Sequence, residues 1–184
     1  MNTPDMSEWW EERRRQRLEA FRNRRPVELR HKGDLRDEIA DWGSRLFDHT
    51  ARNLVLLGPT GTGKTWSVWE VLERALAVGY PGHIMLLAAA EWQEIVGPPV
   101  DRERVRQMRE ADVLVLDDFG SFRINEWTKD VIGPVIDWRW APAMPIVVTS
   151  NMADLVTPLG ERIASRLGHR ATVVALTGED RRAQ

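Results

Sequence analysis

Two groups of residues in this 184-residue chain have the types and spacing to handle a triphosphate. The first is Gly58-Pro59-Thr60-Gly61-Thr62-Gly63-Lys64-Thr65, a G-x-x-x-x-G-K-[ST] run. Its glycines free the backbone to turn successive N–H groups inward onto phosphate oxygens, with a helix N-terminus behind them. Lys64 brings an ammonium to the β- and γ-phosphates, and Thr65 brings a hydroxyl to Mg²⁺. Arginine outnumbers lysine 23 to 3 in this chain, so a lysine at this position points to a site that needs a compact ammonium. The second group is Asp117-Asp118, directly after Val113-Leu114-Val115-Leu116. A hard cation takes oxygen ligands and keeps waters, which suits Asp117 as its holder and Asp118 as the group that polarises an attacking water. Asn151, at the end of Thr149-Ser150-Asn151, orients that water or touches the γ-phosphate; otherwise it is a turn or cap residue. Arg162 and Arg166 lie four apart on one helix face. They are either solvated surface or guanidinium groups given to the ATP of a neighbouring subunit.

These groups meet only if the elements between them form one sheet. The sequence predicts strands over 53–57, 84–88, 113–116, 145–149 and 171–176, and helices over 64–77, 89–96, 101–110, 124–140 and 159–167. The breaker cluster Gly79-Tyr80-Pro81-Gly82 stops the first of these helices. Strands that are apolar throughout and alternate with helices indicate an α/β fold, a parallel sheet of five strands covered on both faces. Such sheets carry their ligand groups at the carboxyl ends of the strands, where all three polar clusters fall.

Composition narrows the function classes. A chain 42% hydrophobic and 29% charged is an ordinary globular mix. It has no cysteine, and His31, His49, His83 and His169 lack ligand spacing, so neither zinc nor disulfide chemistry has support. No apolar run approaches a bilayer span and no signal-type stretch opens the chain, so the expected location is the cytoplasm, away from membranes. The net charge of −2 is uneven: residues 1–33 hold nine Arg/Lys against six Asp/Glu. Trp9, Trp10, Leu18 and Phe21 fall near helical spacing among Arg13, Arg14 and Arg17. That helix either folds back on its own domain or docks a partner protein or nucleic acid. The expected organisation is this extension at 1–33, an amphipathic helix at 34–50, a core at 51–178 and a tail at 179–184. Within the core, Arg102, Arg104, Arg106 and Arg109 either track nucleic-acid phosphates or pair with Glu103 and Glu110, while Phe119, Phe122 and Arg123 suit stacking on a single strand.

Taken in order, GPTGTGKT, VLVLDDFG, IDWRWAPAMPIVVTSN, GERIASRLG and VVALTGEDRR resemble the DnaC/IstB group of AAA+ ATPases, and within it the DnaC-type replicative helicase loaders. The resemblance covers about residues 52–182. It implies an AAA+ type P-loop NTPase with Lys64 and Thr65 as Walker A, Asp117 and Asp118 as Walker B, Asn151 as sensor 1, and Arg166 as a trans-acting arginine finger helped by Arg162. It further implies ATP with Mg²⁺, homo-oligomerisation on ATP binding, contact with single-stranded DNA, and delivery of a replicative ring helicase, which the Trp9/Trp10 helix would bind. The chain departs from that pattern in its short N-terminal part and in having no clear lid domain; Arg181-Arg182 stand where they would substitute for sensor 2. Its size suggests a compact, phage-type loader. An IstB-like transposition helper would differ by partnering a transposase and bending duplex DNA. Asp118, where many superfamily members carry Glu, leaves open an adaptor switched by ATP without hydrolysis. A small-molecule phosphotransferase would need an acceptor pocket and mobile lid that no segment clearly supplies.

Overall fold

The apolar runs become strands, and all five pair in parallel. In the computed structural model, which describes residues 6–120, 124–152 and 155–177, β1 (Leu54–Leu57), β2 (Ile84–Leu87), β3 (Val113–Leu116), β4 (Ile146–Ser150) and β5 (Thr172–Ala175) form one sheet in the order β2-β3-β4-β1-β5. This is the α/β fold expected from the sequence. The continuous apolar character of β3 follows from burial on both faces, since successive side chains point to opposite sides. Leu114 and Leu116 enter one core with Trp92, Ile136 and Leu167, and Val113 and Val115 enter the other with Trp42, Leu72 and Trp69.

The first core is covered by α4 (Ala89–Val96), α5 (Arg102–Glu110), α6 (Glu126–Trp140), α7 (Val156–Leu159) and α8 (Glu161–Gly168). The second is covered by α1 (Met6–Arg24), α2 (Asp37–Ser44) and α3 (Lys64–Ala77). Side chains at the caps fix two starts: Asp101 accepts from Arg104 N at 3.0 Å for α5, and Asn125 accepts from Thr128 N at 2.9 Å for α6. The helix expected at 159–167 is α8, which starts at Glu161 because Gly160 sits at φ 81°, outside the helical region, and separates it from the short α7 that ends at Leu159. The amphipathic helix expected at 34–50 is shortened to α2, which Trp42 anchors by donating from Nε1 to Arg52 O at 2.6 Å.

α1 lies along α3, and this corrects part of the partner-binding expectation. Phe21 is buried with its ring 4.7 Å from Trp69, and Leu18 packs into the same core. Arg17 donates to the carbonyl of Tyr80 at 3.2 Å. These three residues serve the fold, because an amphipathic stripe beside an apolar helix face gains more from burial than from waiting in solvent. The other end of the helix differs. Trp9 and Trp10 are 42% and 56% exposed and meet edge to face, with the Arg13 guanidinium 4.8 Å from the Trp9 ring; Arg14 lies against Gly79.

Because β4 lies between β1 and β3, the loops leaving the carboxyl ends of all three are neighbours. Residues 58–65, 117–118 and 151 are thereby brought together.

Candidate active site

The loop after β1 holds conformations only glycine accepts at its entry. Gly58 has φ 149°, and a Cβ there would fall 2.1 Å from Leu176 O, while Gly58 N donates to Ser150 O at 3.2 Å. Gly63 at φ 89° then turns the chain into α3. Pro59, Thr60 and Gly61 form the outer part of the loop, and Thr62 closes it by donating from Oγ1 to Pro59 O at 2.9 Å. Lys64 is buried, and its Nζ donates to Gly58 O and Pro59 O at 2.7 Å each. The ammonium therefore sits on the inner side of the ring of backbone groups it is expected to share with phosphate.

A chain of hydrogen bonds joins this loop to the other strand ends. Thr65 Oγ1 donates to Asp117 Oδ1 at 3.0 Å, and Thr149 Oγ1 donates to the same oxygen at 2.6 Å. Thr149 Oγ1 in turn accepts from Asp118 N at 2.8 Å, and Asn151 Nδ2 donates to Asp118 Oδ1 at 3.3 Å. Burial pushes the Asp117 carboxyl above its ordinary range; the hydroxyls of Thr149 and Thr65 oppose this, and the adjacent Asp118 charge adds to it. A buried carboxylate whose charge is disfavoured is a place where a hard cation is strongly favoured. Thr65 and Asp117 supply two hard oxygens, which fits Mg²⁺ completed by phosphate and water oxygens. Asp118 is half-buried at φ 53°, a conformation that costs a non-glycine residue free energy and aims its carboxylate beside Asn151. Sequence reasoning singled out Asn151 but gave Thr149 no role. The only available signal was a polar Thr-Ser-Asn run ending an apolar strand.

Phe119 corrects the DNA-stacking expectation. Its side chain is fully buried, stacked on Trp92 at 4.9 Å, and its N–H donates to Thr149 O at 2.7 Å. The aromatic after the Asp pair fixes the strand tip from inside the core, so it cannot stack on a base. Phe122 and Arg123 lie outside the described residues. In α5, Arg106 is engaged by Glu103 and Glu110 at 2.7 and 2.8 Å, which realises the intrahelical pairing for that arginine. Arg102 is exposed, and Arg104 and Arg109 are half-buried.

Arg162 and Arg166 converge on one acid. Both form ion pairs with Asp137 of α6, Arg162 at 2.6 Å, and the Arg166 guanidinium also lies 5.3 Å from the centre of the Trp140 ring. Asn53 Nδ2 donates to Arg166 O at 3.1 Å and to Leu167 O at 2.9 Å. That places the end of α8 at the amino end of β1, whereas the phosphate loop leaves the carboxyl end. With roughly 13 Å of strand between the two, Arg166 faces away from the loop of its own chain.

The family model for IstB-like ATP binding proteins matches residues 12–184. The ATP-binding protein of insertion sequence IS1162 from Pseudomonas fluorescens is 32% identical over 127 residues, 67% of this chain and 54% of that protein. The replicative helicase loader DnaI of Bacillus subtilis is 25% identical over 148 residues, 71% of this chain and 48% of that protein. The chain thus spans about half the length of the curated relatives it matches. Among solved structures, the crystal structure of DnaI superimposes with a TM-score of 0.67 at 21% identity, covering 86% of this chain and 94% of that one. The DnaC helicase loader gives 0.66 at 17% identity, covering 81% and 96%. These likenesses establish the AAA+ fold, and with the phosphate loop and the paired acids in place at its strand ends, the chain belongs to the family of IstB-like ATP binding proteins.

Proposed function

We propose that the protein is an ATPase whose site is completed by a second subunit, and that it uses this cycle to load a replicative ring helicase onto single-stranded DNA. The observation that carries the ATPase reading is the continuous path Thr65–Asp117–Thr149–Asp118–Asn151 beside the Lys64 loop. Lys64 exchanges its contacts with Gly58 O and Pro59 O for phosphate oxygens. Asp118 accepts a hydrogen bond from the attacking water and takes up its proton, held in place by Asn151. Mg²⁺, held by Thr65 and Asp117, would neutralise phosphate charge. Arg166, too far from its own loop, stabilises the phosphoryl charge of the adjacent subunit, with Arg162 beside it. Exposed Arg102, with Arg104 and Arg109, contributes to DNA contact, and the exposed Trp9/Trp10 pair with Arg13 and Arg14 contacts the helicase. Phosphate release stimulated by single-stranded DNA, and capture of the helicase lost on Trp9→Ala/Trp10→Ala with ATPase retained, are the expected results; DNA-independent release would sink the loader reading.

A second reading, a transposition helper acting with a transposase on duplex DNA, is favoured by the family match and by the IS1162 relative. Affinity for duplex against single-stranded DNA of equal length at one salt concentration separates the two.

A further inference from the structure

We infer that Asn53 is a positioning residue for the arginine finger, acting on the site of the neighbouring subunit and not on its own. The inference rests on the reading of Arg166 as a trans-acting group. Asn53 precedes β1 and its side chain uses both ends of the amide. Nδ2 donates to two successive carbonyls at the end of α8, those of Arg166 and Leu167, at 3.1 and 2.9 Å, while Oδ1 accepts from Ile146 N at 2.9 Å, where β4 begins. Its backbone carbonyl accepts from Thr172 N at 2.8 Å, where β5 begins. One half-buried side chain thus joins the last turn of the finger helix to the amino ends of the two strands, β1 and β4, whose other ends carry the phosphate loop and Asn151.

The last carbonyls of a helix have no partner within it and need one from outside. Here the donor is supplied by the residue directly before β1, so the segment leading into the strand that carries the nucleotide loop also fixes where Arg166 leaves the helix. The guanidinium end is held separately, by Asp137 and by the Trp140 ring. The two restraints act on opposite ends of the same residue: α6 holds the charge and Asn53 holds the backbone. A finger displaced by about 1 Å loses catalytic effect steeply, so the backbone restraint has a kinetic consequence even where the fold survives.

The test uses Asn53→Asp, which keeps an oxygen for Ile146 N but replaces the two donated hydrogen bonds with a carboxylate facing two carbonyls. Asn53→Ser, too short to span to α8, serves as a second variant. Each is expected to melt cooperatively, to bind ATP within about twofold of wild type, and to lose turnover by tenfold or more in kcat with little change in KM. Mixed with an equimolar amount of Lys64→Ala subunits, which hydrolyse nothing but carry an intact finger, the turnover per Asn53→Asp subunit rises severalfold. If Asn53→Asp gains nothing from Lys64→Ala while Arg166→Ala subunits do gain, Asn53 acts within its own chain and the proposal is overturned, with the finger reading intact. If Arg166→Ala gains nothing either, the finger reading fails and takes the Asn53 proposal with it. Loss of cooperative melting or of ATP binding in both variants would show that the amide serves the fold alone, which also overturns it.

Discussion

The Thr149 hydroxyl donates to Asp117 Oδ1 at 2.6 Å and accepts from the N–H of Asp118 at 2.8 Å, so one β-branched side chain at the end of β4 holds both acids at the end of β3. Thr149 is fully buried. Its replacement by Val leaves the shape nearly unchanged but leaves Asp117 with one fewer donor in a buried setting. The lost hydrogen bond to a charged group costs about 1.5–3 kcal/mol, a fall in Tm of roughly 3–12 °C for a domain of this size, and the variant's phosphate release drops with it. Unchanged Tm and turnover would mean that the hydroxyl is incidental.

Asp117 should show the opposite stability effect. Burial raises its pKa, so the native state holds its proton more tightly than the unfolded chain does. That stabilisation is present in acid and is lost as pH rises from the ordinary carboxylate range through the raised value. Asp117→Asn removes the titration while keeping an oxygen for Thr65 and Thr149. Measured without Mg²⁺, the Tm of the variant relative to wild type is expected to rise with pH across that window, while Mg²⁺-dependent turnover disappears. A relative Tm that falls with pH contradicts the assignment.

Phe119 makes a separable prediction. Because its ring is buried against Trp92, Phe119→Ala costs about 3–5 kcal/mol through the cavity left behind. Phe119→Leu, which refills most of that volume, restores stability and leaves single-stranded DNA affinity within twofold of wild type. A selective loss of DNA affinity in a stable Phe119→Leu protein would return the ring to the DNA.

The arginines of α5 divide by what they already hold. Arg106 is committed to Glu103 and Glu110, so Arg106→Ala leaves DNA affinity nearly unchanged. Arg102→Ala with Arg104→Ala weakens binding alike for all sequences and reduces the salt slope by about one for each phosphate no longer neutralised. Titrations at several salt concentrations check this, and an equal weakening by Arg106→Ala would refute the division.

The strands and the phosphate loop were legible because their signals are local: four apolar residues in a row, glycines at fixed offsets, acids directly after β3. What escaped depends on pairs far apart in the chain. Phe119 reads as an exposed aromatic beside a catalytic pair until Trp92, 27 residues earlier, is found stacked on it. The basic stripe of α1 divides between Phe21, which is buried on Trp69, and Trp9 and Trp10, which are exposed, and nothing in its spacing marks the division. Arg139 looks like one more surface charge in an arginine-rich chain. It is fully buried, donates to the carbonyls of Met108, Ala111 and Pro145, and has its pKa pushed down to about 10 by that burial. Asn53 carried no signal except as the polar first residue of the strand expected over 53–57, because its partners at Ile146, Arg166 and Leu167 lie about a hundred residues away.

If each ATP site is completed by the next subunit, two inactive variants restore activity to each other when mixed. Lys64→Ala removes the phosphate-binding ammonium but leaves the finger; Arg166→Ala retains nucleotide binding but loses turnover by on the order of 10³-fold. Phosphate release is measured for each protein alone and for an equimolar mixture with single-stranded DNA. A shared site gives two nearly silent proteins and a mixture that hydrolyses ATP at a substantial fraction of the wild-type rate. Full activity of Arg166→Ala alone, or a mixture as silent as its components, would contradict it.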